Sequence, residues 1–303
     1  MKPILSPFSS KILETSADSC LLRIRDLVKE EGGSNESGSG LEHLEYRCHK
    51  RMHKIGLNTL DSYWEMLTTL PGGQAELGKL LQELKCRTPF FSNLSQLDEF
   101  RNVVLPRIVE GKKKTGLAHV RIWTVECGTG EDTYSLGMIL QEESSRVLDG
   151  CTFEVLGTDC DEGAVSFARR ALYDAQGMRS VNPHFRQSYF VAAGNQLKIS
   201  LQIKARVKFE LVDLLKDSQM TFIKGMDAIF CCNVLSHLER PKKQRVLQHF
   251  WAALLPHGYL FLGESESLYG ASQNFELLDL RSTGVYQKIP QRNSLTRQCC
   301  ASN

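Results

Sequence analysis

Two strands flanking a glycine turn and a helix constrain this chain more than any other feature. Residues 121–136, Arg-Ile-Trp-Thr-Val-Glu-Cys-Gly-Thr-Gly-Glu-Asp-Thr-Tyr-Ser-Leu, read as a β-strand entering a Gly-rich turn and a helix. Residues 153–161, Phe-Glu-Val-Leu-Gly-Thr-Asp-Cys-Asp, read as a second strand ending on Asp159, with Asp161 suited to cap the next helix. This is the first half of a nucleotide-binding α/β sheet: a turn that lets a ligand approach backbone, then an acidic residue placed for ribose hydroxyls. The alternation continues, with strands expected at 119–125, 152–158, 197–203, 207–212, 226–231, 258–264 and 283–288. Helices are expected between them at 132–144, 161–171 and 241–255, the signature of a mostly parallel sheet covered on both faces.

The turn itself selects the ligand. A dinucleotide sets its pyrophosphate on such a helix N-terminus, where backbone N–H groups and the helix dipole favour anions. Here Glu131 and Asp132 open the helix, and Thr133 stands where the third glycine of a dinucleotide fingerprint would fall. Two carboxylates repel phosphate and welcome a cation. The pattern therefore predicts S-adenosylmethionine, which has a ribose, an adenine, a sulfonium and an ammonium but no phosphate.

Residues 21–86 carry a different text, that of a small all-helical domain. Leu41 to Ile55 is the clearest amphipathic helix, with Leu44, Cys48, Met52 and Ile55 on one stripe and Gly56 at its end. Arg47, Lys50, Arg51 and Lys54 are assigned to the opposite face, which by itself reads either as a solvated charged face or as a docking surface. Residues 1–20 and 291–303 are expected to be disordered, and 87–290 to form the sheet domain. A formal net charge of +2 argues against a nucleic-acid binder. No apolar run approaches the ~20 residues of a membrane span, and no export signal is visible, so a cytoplasmic location is expected. Ten cysteines without a C-x-x-C pair read as reduced thiols, and no metal site is expected.

Five motifs occur in order: Thr88-Pro-Phe-Phe, the 123–135 turn, Thr158-Asp-Cys-Asp, Phe230-Cys-Cys-Asn-Val-Leu and Gly263-Glu-Ser-Glu-Ser-Leu. Over residues 20–290 the chain resembles the CheR family of chemoreceptor glutamate O-methyltransferases. The resemblance implies a seven-stranded methyltransferase sheet with its last strand antiparallel, a small β-subdomain inserted near 185–210, and an N-terminal all-α domain. It implies methyl transfer from S-adenosylmethionine to glutamate side chains of a cytoplasmic receptor helix, and it makes the face of Arg47, Lys50, Arg51 and Lys54 a docking surface for an acidic helical partner; a monomer is expected. The family's ligand positions fall on Thr88, Glu131, Asp159, Asp213, Leu214, Cys232 and Asn233. Ser92 and His237 take the catalytic, substrate-side positions.

Five residues depart from the family pattern. Ser92 and Cys232 stand where arginines are usual, Cys86 and Asp213 where asparagines are usual, and His237 where a tyrosine is usual. Serine and cysteine cannot replace a guanidinium that pairs with a carboxylate. The pattern is compatible with a working enzyme whose positioning contacts have changed, and equally with a degenerate binding module that keeps the fold.

Overall fold

The computed structural model describes residues 8–32, 41–85, 89–116, 118–174, 178, 181–232, 234–235, 238, 240–263, 266–269, 271–280 and 284–290. The chain divides into two compact units, Met1–Pro89 with Asp174–Arg179, and Phe90–Tyr173 with Ser180–Asn303. The expected disordered tail at 291–303 lies outside the described residues.

The first unit holds four helices: α1 (Phe8–Gly32), α2 (Leu41–Ile55), α3 (Leu60–Thr69) and α4 (Gly73–Lys85). Helix α1 starts at Phe8, inside the stretch expected to be disordered. No glycine or proline interrupts residues 8–31, so nothing in the sequence halts the helix after Pro7. Helix α2 ends on Gly56, whose φ of 76° is the left-handed conformation that suits glycine. Thr59 caps α3 by accepting from the Ser62 N–H at 3.2 Å. The core of the unit joins Leu44, Cys48 and Met52 to Ile24, Tyr63 and Leu80.

The second unit opens with α5 (Leu94–Glu99), a π-helical turn (Phe100–Val104) and α6 (Leu105–Thr115). Then come β1 (His119–Val125), α7 (Glu131–Glu142), β2 (Thr152–Asp159), α8 (Glu162–Arg170) and β3 (Leu172–Asp174). The insertion supplies α9 (Pro183–Tyr189), β4 (Phe190–Ala193), β5 (Gln196–Ile199) and α10 (Leu201–Lys204). The remainder is β6 (Val207–Leu211), α11 (Asp217–Met220), β7 (Met226–Cys231), α12 (Arg240–Ala253), β8 (Leu254–Leu262), β9 (Phe275–Leu277) and β10 (Val285–Lys288).

Seven strands form one sheet in the order β6-β2-β1-β7-β8-β10-β9. The pairs from β6 to β8 are parallel, and β10 runs antiparallel to both neighbours. This is the methyltransferase arrangement that the sequence resemblance implied. The order reverses at β1 and β7, so the crevice outside their carboxyl ends is where a ligand belongs. Phe230 and Phe261 stack at 4.2 Å on neighbouring strands, and Phe100 from the π-turn meets Phe230 edge-on at 5.4 Å. A second sheet, β3-β5-β4, is the inserted subdomain, with Gly194-Asn195 as its two-residue hairpin turn.

The strand expected at 197–203 is β5 followed by a turn of helix, α10. Leu-Gln-Ile-Lys alternates like a strand, but it is too short for its period to decide. Backbone bonds from Lys204 and Ala205 to Ser200 and Leu201 close the helical turn and redirect the chain into β6.

Candidate active site

The loop after β1 is shaped by hydrogen bonds to the end of β2. Cys127 N–H donates to the Thr158 carbonyl at 2.9 Å, and Gly128 N–H donates to Asp159 Oδ2 at 2.9 Å. Asp159 Oδ1 accepts from the Asp161 N–H at 3.0 Å, and its side chain is buried. The aspartate thus ties the glycine turn to the end of the second strand. The turn needs left-handed backbone at Glu126 (φ 47°), Gly128 (φ 55°) and Gly130 (φ 94°). Glycine adopts this freely and glutamate does not, so Glu126 stores strain at the site.

Helix α7 starts on Gly130, where an added Cβ would lie 3.0 Å from Ala168 Cβ and from the Phe209 ring. The third fingerprint glycine normally allows a helix to approach the sheet. Thr133 occupies that position, is fully buried and bonds Thr124 Oγ1 at 2.7 Å. The space comes instead from the strand side. A Cβ on Gly157 would meet the Phe209 ring at 2.7 Å and Thr133 Oγ1 at 2.9 Å.

The first turn of α7 carries the two expected acids. Thr129 Oγ1 donates to Glu131 Oε2 at 2.6 Å. Ser92 Oγ donates to Asp132 Oδ1 at 3.0 Å, and Phe91 N–H donates to Ser135 Oγ at 2.9 Å. The Phe-Phe segment is therefore stitched onto α7, with Phe91 itself left-handed at φ 58°. Burial pushes the Asp132 carboxyl up to about 6, with the Ser92 hydrogen bond acting the other way. Burial also pushes the Cys232 thiol up to about 12, helped by the nearby Asp132 and Glu266 carboxylates. Cys232 Sγ lies 3.7 Å from Gln96 Oε1 as a neutral donor.

The loop after β6 completes the rim. Val212 N–H donates to the Asp159 carbonyl at 2.9 Å, placing Asp213-Leu214 beside the β2 end. Asp213 Oδ1 accepts from Leu215 N–H at 2.9 Å, and Leu214 is buried in the core. The structure thus brings Ser92, Glu131, Asp159, Asp213, Leu214 and Cys232 to the carboxyl ends of β1, β2, β6 and β7. Thr88, Asn233 and His237 lie outside the described residues.

Phosphate does not fit this rim, because the acids at the helix start oppose it. The charge at the rim suits a ligand with cationic centres instead: Asp159 stands at the end of β2, and Glu131 and Asp132 open α7. Residues 87–283 match the family described as "CheR methyltransferase, SAM binding domain". The chain belongs to the CheR methyltransferase family. It is 29% identical over 232 residues to "Probable chemotaxis protein methyltransferase" of Rhizobium etli, covering 75% of this chain and 85% of that one. It is 27% identical over 281 residues to "Chemotaxis protein methyltransferase 2" of Vibrio cholerae, covering 92% of this chain and 95% of that one. This CheR-family chain is accordingly an S-adenosylmethionine-dependent methyltransferase with the mixed seven-stranded sheet of such enzymes.

The docking face requires a correction. Arg51 does not belong to it: the side chain is buried, with Nε 2.7 Å from Glu76 Oε1 and a terminal nitrogen 2.6 Å from Glu76 Oε2. Tyr63 OH adds a third bond to Glu76 at 3.2 Å. At about 100° per residue, Arg51 falls about 20° from Leu44, within the apolar arc. Arg47, Lys54 and Lys50 fall about 60°, 80° and 120° away, and Lys54 is exposed and Arg47 half-buried. The side chain of Lys50 lies outside the described residues.

Proposed function

We propose that this chain transfers methyl groups to glutamate side chains in the cytoplasmic helical domain of a chemoreceptor, acting in the cytoplasm as a monomer. The observation that carries the reading is the acidic rim around the strand ends. It suits a cationic nucleoside, and it belongs to a chain whose relatives are named chemotaxis protein methyltransferases. No helix among the described residues is long and apolar enough to cross a membrane.

Bound S-adenosylmethionine supplies a methyl group on positively charged sulfur. Asp159 takes the ribose hydroxyls, Asp213 and Leu214 hold the adenine, and Glu131 faces the amino-acid ammonium. Thr88, Cys232 and Asn233 complete the cofactor contacts. Ser92 and His237 border the incoming glutamate. A glutamate carboxyl, with a pKa of about 4.3, is ionised at neutral pH and needs no general base. The residues therefore act by orientation, which can lower a barrier by roughly 7–11 kcal/mol. The partner docks on the helical unit through Arg47, Lys50 and Lys54, where complementary charge sets orientation and on-rate.

One observation favours a second reading. Ser92 and Cys232 leave Asp132 without a guanidinium at either position, so a substrate carboxylate meets negative charge. A non-catalytic module that keeps the fold and the partner surface would tolerate this. Calorimetry with S-adenosylmethionine, followed by transfer of labelled methyl to a purified receptor cytoplasmic fragment, separates the two. Binding with alkali-labile methyl incorporation supports the enzyme. Receptor binding without incorporation supports the module, and no binding of cofactor defeats the enzyme.

A further inference from the structure

The loop that follows β6 is gripped from outside the rim by a histidine of α12. His249 Nδ1 lies 2.9 Å from the Leu214 carbonyl oxygen, and its Nε2 lies 2.9 Å from Asp217 Oδ1. Both partners are acceptors at neutral pH. A neutral imidazole has one N–H, so it can satisfy only one of them, whereas an imidazolium donates to both. Asp217 is set for this role: Arg245, one turn earlier on α12, holds it with Nε at 2.8 Å from Oδ1 and a terminal nitrogen at 2.7 Å from Oδ2. The side chain of His249 is largely covered, at 14% exposure, while Asp217 is 65% exposed.

The gripped segment has further ties: Leu214 is buried in the core, and Asp213 Oδ1 accepts from the Leu215 N–H at 2.9 Å. Asp213 N–H donates to Gln219 Oε1 at 2.7 Å, and Lys216 Nζ stands 3.6 Å from Asp213 Oδ2. Val212 N–H reaches the Asp159 carbonyl at 2.9 Å, which links the loop to the ribose side of the site.

We propose that His249, donating from Nδ1 to the Leu214 carbonyl, is a positioning residue that holds the Asp213-Leu214 loop in register for the adenosine end of the cofactor. The inference rests on the cofactor roles given above to Asp213 and Leu214. Without the His249 side chain the loop loses its tie to α12, and the adenine side of the rim loosens.

The test is calorimetric titration of the full chain with S-adenosylhomocysteine at one fixed pH. Wild type, His249→Ala and His249→Asn are compared, with urea midpoints as a check on folding. His249→Ala should bind roughly three- to tenfold more weakly than wild type, the size of one lost hydrogen bond. His249→Asn, whose amide can donate from near the Nδ1 position, should recover part of that loss. Equal affinity of wild type and His249→Ala overturns the inference while leaving the cofactor site intact, and so does a His249→Asn that binds no better than His249→Ala while folding as well as wild type. Failure of wild type itself to bind the ligand overturns the cofactor reading and this inference with it.

Discussion

Arg51 and Glu76 form a bidentate ion pair inside the helical unit, at 2.7 and 2.6 Å. Removing one partner of such a pair leaves the other charged and buried, at a cost of about 3–5 kcal/mol. Arg51→Ala should lower the stability of the helical unit by that amount in chemical denaturation. The double change Arg51→Met with Glu76→Leu should recover most of it. A charge reversal of the docking face must therefore omit Arg51. Arg47→Glu, Lys50→Glu and Lys54→Glu together should weaken receptor association while leaving the unfolding transition in place.

Asp159 accepts backbone N–H bonds from both Gly128 and Asp161. Asp159→Ala should weaken S-adenosylmethionine binding by about 1.5–3 kcal/mol, the value of hydrogen bonds to a charged group. Asp159→Asn keeps one acceptor and should lose less. Retention of wild-type affinity by Asp159→Ala would remove this residue from the site.

Asp132 gives stability a pH dependence with a definite sign. Its folded-state value, about 6, lies above the ordinary 3.8, so the folded chain holds the proton more tightly than the unfolded one. Stability then falls as pH rises from about 4 to about 6 and levels off beyond, losing at most about 3 kcal/mol. Asp132→Asn should flatten this limb and raise stability at pH 7. Ser92→Arg should flatten it too, by placing a guanidinium against the carboxylate. Urea unfolding at pH 4.5, 6 and 7.5 checks all three proteins.

Gly157 leaves no room for a methyl group, with the Phe209 ring 2.7 Å and Thr133 Oγ1 2.9 Å from the position a Cβ would take. Gly157→Ala should destabilise by about 1–3 kcal/mol through overpacking. Adding Phe209→Leu should return part of that loss, and thermal melts of the single and double variants measure it.

The sheet was legible because its evidence is local: β1, the glycine turn and β2 each carry their own period and punctuation. Asp159 could be placed for the same reason, since a strand end fixes the position of its last residue. Arg51 was misplaced because charge outweighed angle in the reading. Its spacing of seven from Leu44 marks it as buried, and only the distant Glu76 explains how a guanidinium can lie there. The role of Gly157 was hidden because its neighbours, Thr133 and Phe209, come from other elements. The bonds of His249 to Leu214 and Asp217 span 35 and 32 residues, beyond the reach of any local pattern.

Glu126 sits exposed at the end of β1 with a φ of 47°. A non-glycine residue held there costs of order 1–3 kcal/mol, which Glu126→Gly would largely relieve. A laboratory selection for heat resistance alone would therefore find this position early. Such a winner would lose a carboxylate from the crevice mouth. A screen that reads cofactor binding beside heat resistance therefore tells whether the strain at this single codon serves the site or merely weakens the fold.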